Sequence, residues 1–125
     1  MSKQRILVAD DEEGIRESLN LILSEQYELV FAKDGEEALA KLKQGSVGLL
    51  LLDIKMPKVD GLEVLRRLNG SRARPPIIVL TAYQSVELAQ EAIKLGARDY
   101  LPKPFERDEV LLAVRSALTT TGAGS

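Results

Sequence analysis

The sequence predicts an α/β protein, a doubly wound parallel sheet with helices on both faces. Three observations carry that reading. The runs Ile6-Leu7-Val8-Ala9, Leu49-Leu50-Leu51-Leu52 and Ile77-Ile78-Val79-Leu80 are short and continuously apolar. Apolar residues that do not alternate mark strands buried on both faces, the kind found inside parallel sheets. Stretches with helical periodicity lie between these runs. An alternation of strand and helix argues for a parallel sheet covered by helices, reached by right-handed crossovers. Finally, each run meets its first polar residue at its carboxyl end, where open α/β sheets bind ligands.

Taken in order, Arg5-Ile6-Leu7-Val8-Ala9-Asp10 is a strand ending in acid. Ile15, Leu19, Ile22 and Leu23 then recur at helical spacing. Tyr27 to Ala32 is aromatic and β-branched and reads as a second strand. Asp34-Gly35-Glu36-Glu37 has the form of a capping box, with Asp34 as N-cap and Glu37 at the third helical position. The helix it opens carries Ala38, Leu39 and Leu42 and closes near Gly45. The third strand, Leu49 to Asp53, leads into a loop with Pro57 and Gly61. A helix marked by Leu62, Leu65 and Leu68 ends at Asn69-Gly70-Ser71, and Arg72 to Pro76 is a basic, proline-containing loop. Pro76 to Thr81 is the fourth strand. Ser85 is placed to cap a helix with Leu88, Ala89, Ala92 and Ile93, stopped at Gly96. Asp99-Tyr100-Leu101-Pro102 is a short extended segment. The last helix, Glu106 to Leu118, carries Val110, Leu111, Val114, Ala117 and Leu118. Thr119 to Ser125 has no apolar periodicity and is expected to be a linker or tail. Periodicity does not set the strand order.

A chain of 125 residues is expected to form one domain, residues 1–118, with a real core. The net charge of −2 leaves no whole-domain basic footprint, so direct nucleic-acid binding by this segment is not expected. No apolar run is long enough to span a membrane, and Met1 to Arg5 shows no signal-peptide pattern; a cytoplasmic address is the default expectation. The sequence contains no Cys and no His. That excludes disulfides, thiolate chemistry, a His-based triad and a His metal site. It also means the chain cannot be its own phosphohistidine donor.

The strand ends carry the candidate chemistry. Asp10 and Asp11 follow the first strand, Asp53 ends the third, Thr81 the fourth, and Lys103 follows the fifth. In a parallel sheet these ends share one rim. Singly, each has a plain structural explanation: the acidic run Asp10 to Glu13 favours a helix N-terminus, Asp53 can terminate a strand, and Lys103 can be a solvated loop charge. Together, three converging carboxylates repel one another, and a hard divalent cation resolves that repulsion. Mg²⁺ takes oxygen ligands, commonly one or two carboxylates plus water and phosphate oxygens. A carboxylate on that rim can be a nucleophile toward phosphorus, in a transfer that depends on in-line placement and charge neutralisation.

Over roughly Lys3 to Leu118 the sequence resembles the receiver (phosphoacceptor) domain of two-component response regulators. The resemblance rests on Asp10-Asp11, on Asp53-x-x-Met56-Pro57-x-x-Asp60-Gly61, on Thr81-Ala82, and on Asp99-Tyr100-x-x-Lys103-Pro104-Phe105. It implies a flavodoxin-like (βα)5 fold with five strands in the order 2-1-3-4-5. It implies that Asp53 accepts a phosphoryl group from a sensor histidine kinase. Asp10, Asp11, Asp53 and the backbone carbonyl of Lys55 would hold Mg²⁺, while Thr81 and Lys103 would bond the phosphate oxygens. Tyr100 would move with Thr81 as a switch, reshaping the face of the fourth helix, fifth strand and fifth helix. That face would be read by a C-terminal output domain, transcriptional in character, or by a second receiver in a dimer formed on phosphorylation. Lys103-Pro104 is expected to be cis. Lys55 and Tyr83 flank the site at positions the family leaves variable, and Tyr83 is expected to slow loss of the phosphate. The stretch Thr81 to Leu101 looks most like receivers of enhancer-binding activators with an AAA+ domain.

A receiver is a signalling phosphoacceptor that assists its own phosphorylation and dephosphorylation, not an enzyme acting on a separate substrate. The enzymatic rival is a haloacid-dehalogenase-like phosphatase, which also uses a strand-end Asp with Mg²⁺. That family wants a second Asp two residues after the nucleophile, where this chain has Lys55, and its nucleophile on the first core strand. The other rival is a degenerate receiver kept only for docking or dimerisation. Walker A and dinucleotide fingerprints are absent.

Overall fold

The structure, a computed structural model, describes residues 3–71, 74–82 and 86–123. Arg72, Tyr83, the expected Ser85 cap, Gly124 and Ser125 lie outside the described residues. The elements alternate strictly: β1 (Arg5–Ala9), α1 (Glu13–Leu23), β2 (Glu28–Ala32), α2 (Gly35–Lys43), β3 (Leu49–Asp53), α3 (Gly61–Leu68), β4 (Ile77–Thr81), α4 (Val86–Lys94), β5 (Asp99–Pro102) and α5 (Arg107–Ala123). The strands form one parallel five-stranded sheet in the order β2-β1-β3-β4-β5. This is the doubly wound topology that the resemblance implied.

The four-leucine run shows why the strands are continuously apolar. Successive side chains of a strand point to opposite faces. Leu50 and Leu52 join Leu7, Ile77 and Val79 under Ala38 of α2, Val64 and Leu65 of α3 and Ala92 of α4. Leu49 and Leu51 join Ile6, Val8, Ile78 and Leu80 under Leu19 and Leu23 of α1 and Val110 and Val114 of α5. All four leucines are fully buried, each worth about 1.5–3 kcal/mol relative to exposure. A strand serving two cores has no position left for a polar residue until it ends.

Local signals place the helix starts. Asp34 accepts a hydrogen bond from the Glu37 N–H at 2.8 Å, as expected of the N-cap, while the Glu37 carboxylate accepts from the N–H of Lys33 at 2.8 Å, one residue before the N–H of a standard capping box. Asp60 caps α3 in the same way, accepting from the Glu63 N–H at 2.9 Å. Gly96 closes α4 with a positive φ of 108°, while the Ala97 N–H reaches back to the Ala92 carbonyl at 2.9 Å. That is the left-handed turn glycine allows at a helix end.

The last helix runs past its expected end at Leu118: α5 continues through Ala123, into the stretch expected to be a linker or tail. The Thr119 hydroxyl donates to the Arg115 carbonyl at 2.8 Å, one turn back, which satisfies that polar group inside the helix. Among the described residues no helix is long and apolar enough to cross a membrane.

Candidate functional site

The strand order places the ends of β1, β3 and β4 side by side at the centre of the sheet. Asp10 directly follows β1 and still donates its N–H to the Ala32 carbonyl of β2 at 3.0 Å. Asp53 is the last residue of β3 and Thr81 the last of β4. Lys103 is tied to β4 by its N–H, which donates to the Thr81 carbonyl at 2.8 Å. Its peptide bond to Pro104 is cis.

The β3–α3 loop that follows Asp53 is held down by apolar and close backbone contacts. Ile54, Met56 and Val59 are buried, and the Gly61 N–H returns to the Ile54 carbonyl at 2.8 Å. A Cβ at Gly61 would run into the carbonyl of Asp53, and one at Gly35 into the backbone of Val59. These two glycines let α3 and the start of α2 press against the loop.

Asp10, Asp53 and Thr81 are buried, while Asp11 is exposed. Oxygens of Asp10, Asp11 and Asp53 all lie within 4.8 Å of one another. The Lys103 ammonium stands 2.8 Å from Asp10 Oδ2, 3.0 Å from Glu12 Oε1 and 3.4 Å from Asp53 Oδ1. Asp10 Oδ1 accepts from the Glu12 N–H at 2.9 Å. Asp10 Oδ2 is buried and, despite its nearness to Nζ, is outside hydrogen-bond geometry. Asp11, Glu12, Asp53, Lys55, Thr81, Ala82 and Lys103 line an open cleft of about 370 Å³.

The electrostatics follow from this crowding. Burial, with the Asp10 charge adding to it and Lys103 opposing it, pushes the Asp53 carboxyl up to about 7. Burial also raises Asp10, against the pull of Lys103 and the Glu12 N–H. Burial disfavours the Lys103 ammonium, but the close carboxylate of Asp10, the bond to Glu12 and the charge of Asp53 outweigh that and hold it above the ordinary lysine range. One ammonium thus faces two buried aspartates and Glu12, while Asp11 converges on the same two aspartates. An anionic oxygen without a donor beside two other carboxylates fits a divalent cation with oxygen ligands.

The site residues expected at the strand ends therefore come together, and Lys55 borders the same cleft. Tyr100 does not join them. It is 46% exposed on the edge strand β5, beside a hollow lined by Ala89, Gln90, Ile93 and Lys94. Glu12 was expected only to favour a helix N-terminus, and nothing local signals its pairing with Lys103, 91 residues away. Arg16, unassigned in the sequence reading, donates to the Asp10 carbonyl at 2.7 Å.

This geometry agrees with what known proteins show. The family model for the response regulator receiver domain matches residues 6–115. The chain belongs to the response regulator receiver family. The receiver is 46% identical over 118 residues to the response regulator MprA of Mycobacterium tuberculosis, covering 94% of this chain and 51% of that protein. It is 41% identical over 123 residues to the transcriptional regulatory protein YkoG of Bacillus subtilis, covering 98% of this chain and 54% of that protein. The chain thus spans about half the length of these relatives. A CheY-like receiver domain from Methanospirillum hungatei superposes with a TM-score of 0.91 at 32% identity, covering 99% of this chain and 100% of that one. None of these names refers to an enhancer-binding AAA+ activator, and that finer expectation gains no support from them. Receiver domains bind Mg²⁺ at an acidic pocket, and this receiver has an aspartate cluster at the corresponding rim.

Proposed function

We propose that this receiver takes a phosphoryl group onto Asp53 from the phosphohistidine of a sensor histidine kinase. The observation that carries the reading is the position of Asp53. Its carboxylate is buried at the end of the central strand β3, opens onto the cleft, and has the Lys103 ammonium 3.4 Å away. An Asp53 oxygen attacks phosphorus, the phosphorus–nitrogen bond breaks, and the imidazole leaves with its electron pair and takes up a proton. Asp53 must be ionised to attack. The Lys103 ammonium offsets charge on the transferred phosphoryl oxygens, and the Thr81 hydroxyl donates to one of them. Asp10, Asp11, Asp53 and the Lys55 carbonyl would hold Mg²⁺, which when bound supplies a counter-charge to the carboxylates and to the phosphoryl oxygens.

The receiver carries one phosphate and assists its gain and loss rather than turning over a separate substrate. Phosphorylation adds ~−1.5 to −2 charge and strong acceptor oxygens. Thr81 moves toward them, Tyr100 follows, and the α4–β5–α5 face changes shape. A C-terminal output domain, transcriptional as the name of YkoG suggests, or a second receiver reads that face in the cytoplasm. Residues 119–125 serve as linker or tail beyond the receiver unit, through Ala123 as a continuation of α5.

Intact-mass spectrometry after incubation with acetyl phosphate and Mg²⁺ tests the assignment. One phosphoryl adduct is expected in the wild type and none in Asp53→Asn. An undiminished adduct in that variant would refute it, and rapid turnover of phosphoesters would favour the phosphatase reading instead.

A further inference from the structure

Arg16 lies in the first half of α1 and is part-buried. Its guanidinium Nη1 donates to the backbone carbonyl of Asp10 at 2.7 Å. That carbonyl belongs to the peptide joining the two acidic residues of the site. The peptide unit is planar and stiff, so the Asp10 C=O and the Asp11 N–H share one plane and turn together. A donor that fixes the carbonyl also fixes the direction in which the chain leaves β1 at Asp11.

The two aspartates differ in how much else holds them. The Asp10 carboxylate takes the Glu12 N–H on Oδ1 and faces Lys103 on Oδ2. Its N–H is bonded to the Ala32 carbonyl of β2. Among the described residues, no hydrogen bond or ion pair holds the exposed Asp11 carboxylate. Yet its oxygen must stay within the 4.8 Å cluster shared with Asp10 and Asp53. Its aim therefore depends on its backbone.

We propose that Arg16 is a positioning residue for the metal site, holding the Asp10–Asp11 peptide so that the Asp11 carboxylate points at the cation it shares with Asp10 and Asp53. This rests on the Mg²⁺ reading above. Two other roles make opposite predictions. If Arg16 acted through its charge, it would repel a nearby cation, and its removal would tighten Mg²⁺ binding. If it merely stapled α1 to β1, its removal would lower stability and leave Mg²⁺ affinity alone. Positioning predicts weaker binding in a chain that still folds, since groups that orient metal ligands typically contribute about 10–100-fold in affinity.

The test is calorimetric titration of Mg²⁺ into the wild type, Arg16→Met, Arg16→Gln and Arg16→Lys, each checked by thermal unfolding and amide NMR. Arg16→Met and Arg16→Gln are expected to bind about tenfold or more weakly. Arg16→Lys is expected to fall between them and the wild type, because an ammonium can donate to the carbonyl but lacks the planar fork. Should Arg16→Met not fold, the shorter neutral Arg16→Gln decides on the same criterion. Affinity equal to or tighter than wild type in a folded Met or Gln variant overturns the positioning role. A wild-type chain that binds no Mg²⁺ overturns the metal reading and this role with it.

Discussion

Lys103 and Asp10 meet at 2.8 Å although they follow strands that are not neighbours. β3 and β4 separate β1 from β5 in the sheet. The lysine crosses the rim above both to reach Asp10, and passes 3.4 Å from Asp53 on the way. Its own side chain is only 8% exposed. Removing one partner of a buried ion pair leaves an uncompensated charge and costs about 3–5 kcal/mol. Lys103→Met is therefore expected to lose about 3 kcal/mol of metal-free stability above neutral pH, the exposed Glu12 end contributing little. Urea melts with and without Mg²⁺ check this, and the loss should shrink when Mg²⁺ is present. An unchanged midpoint would show that the ammonium does not compensate these carboxylates.

The Asp53 carboxyl gives a pH signature with a definite sign. Its folded pKa lies near 7, above the ordinary aspartate value of 3.8. The fold therefore favours the protonated acid. That contribution is fully present below about 3.8 and is lost as pH rises toward 7. Metal-free wild type should thus lose stability relative to Asp53→Asn between these values, with the gap constant above. At alkaline pH the variant should be the more stable by on the order of a few kcal/mol, each pKa unit being worth ~1.4 kcal/mol. Parallel stability–pH curves for the two proteins would contradict it.

Thr81 is buried at the end of β4, and Tyr100 sits half-exposed on β5, beside Val79 in register. Thr81→Ala is expected to accept phosphate on Asp53 yet fail to shift the α4–β5–α5 face fully. A coupling of ~1–3 kcal/mol between the site and the face is enough to bias two surface states. Amide chemical shifts over residues 86–118 of verified phosphorylated wild type and Thr81→Ala make the comparison. The same full change in both would break the link between Thr81 and Tyr100.

Gly61 is expected to resist even the smallest side chain. A Cβ there has no room beside the Asp53 carbonyl, and inserting an atom into a close-packed region costs typically ~1–3 kcal/mol. Gly61→Ala should lose stability on that scale and displace the Asp53 carboxylate, slowing acetyl phosphate labelling as well. Gly14, which has open space around it, is the control. Gly14→Ala should keep or gain stability within α1.

The sequence by itself determined the alternation of strands and helices, the two-faced burial of β1, β3 and β4, and the caps at Asp34 and Gly96. Each of these is local: a run of leucines, a carboxylate three residues before its N–H partner, a glycine at a helix end. Strand order was not legible in periodicity and came only through the motif resemblance, because a pattern of buried positions is the same wherever a strand sits inside a sheet. The residue types at the strand ends were legible because parallel strands bring all carboxyl ends to one rim. Which of those residues touch was decided by the tertiary structure. Glu12 bonds Lys103 across 91 residues, the Gly61 backbone lies against the Asp53 carbonyl, and Arg16 reaches the Asp10 carbonyl. Such contacts depend on angstrom-scale packing of elements after they have assembled, and spacing along the chain does not encode that. The extension of α5 to Ala123 was not legible because the apolar pattern that marks a helix in the sequence stops at Leu118 while the helical backbone does not.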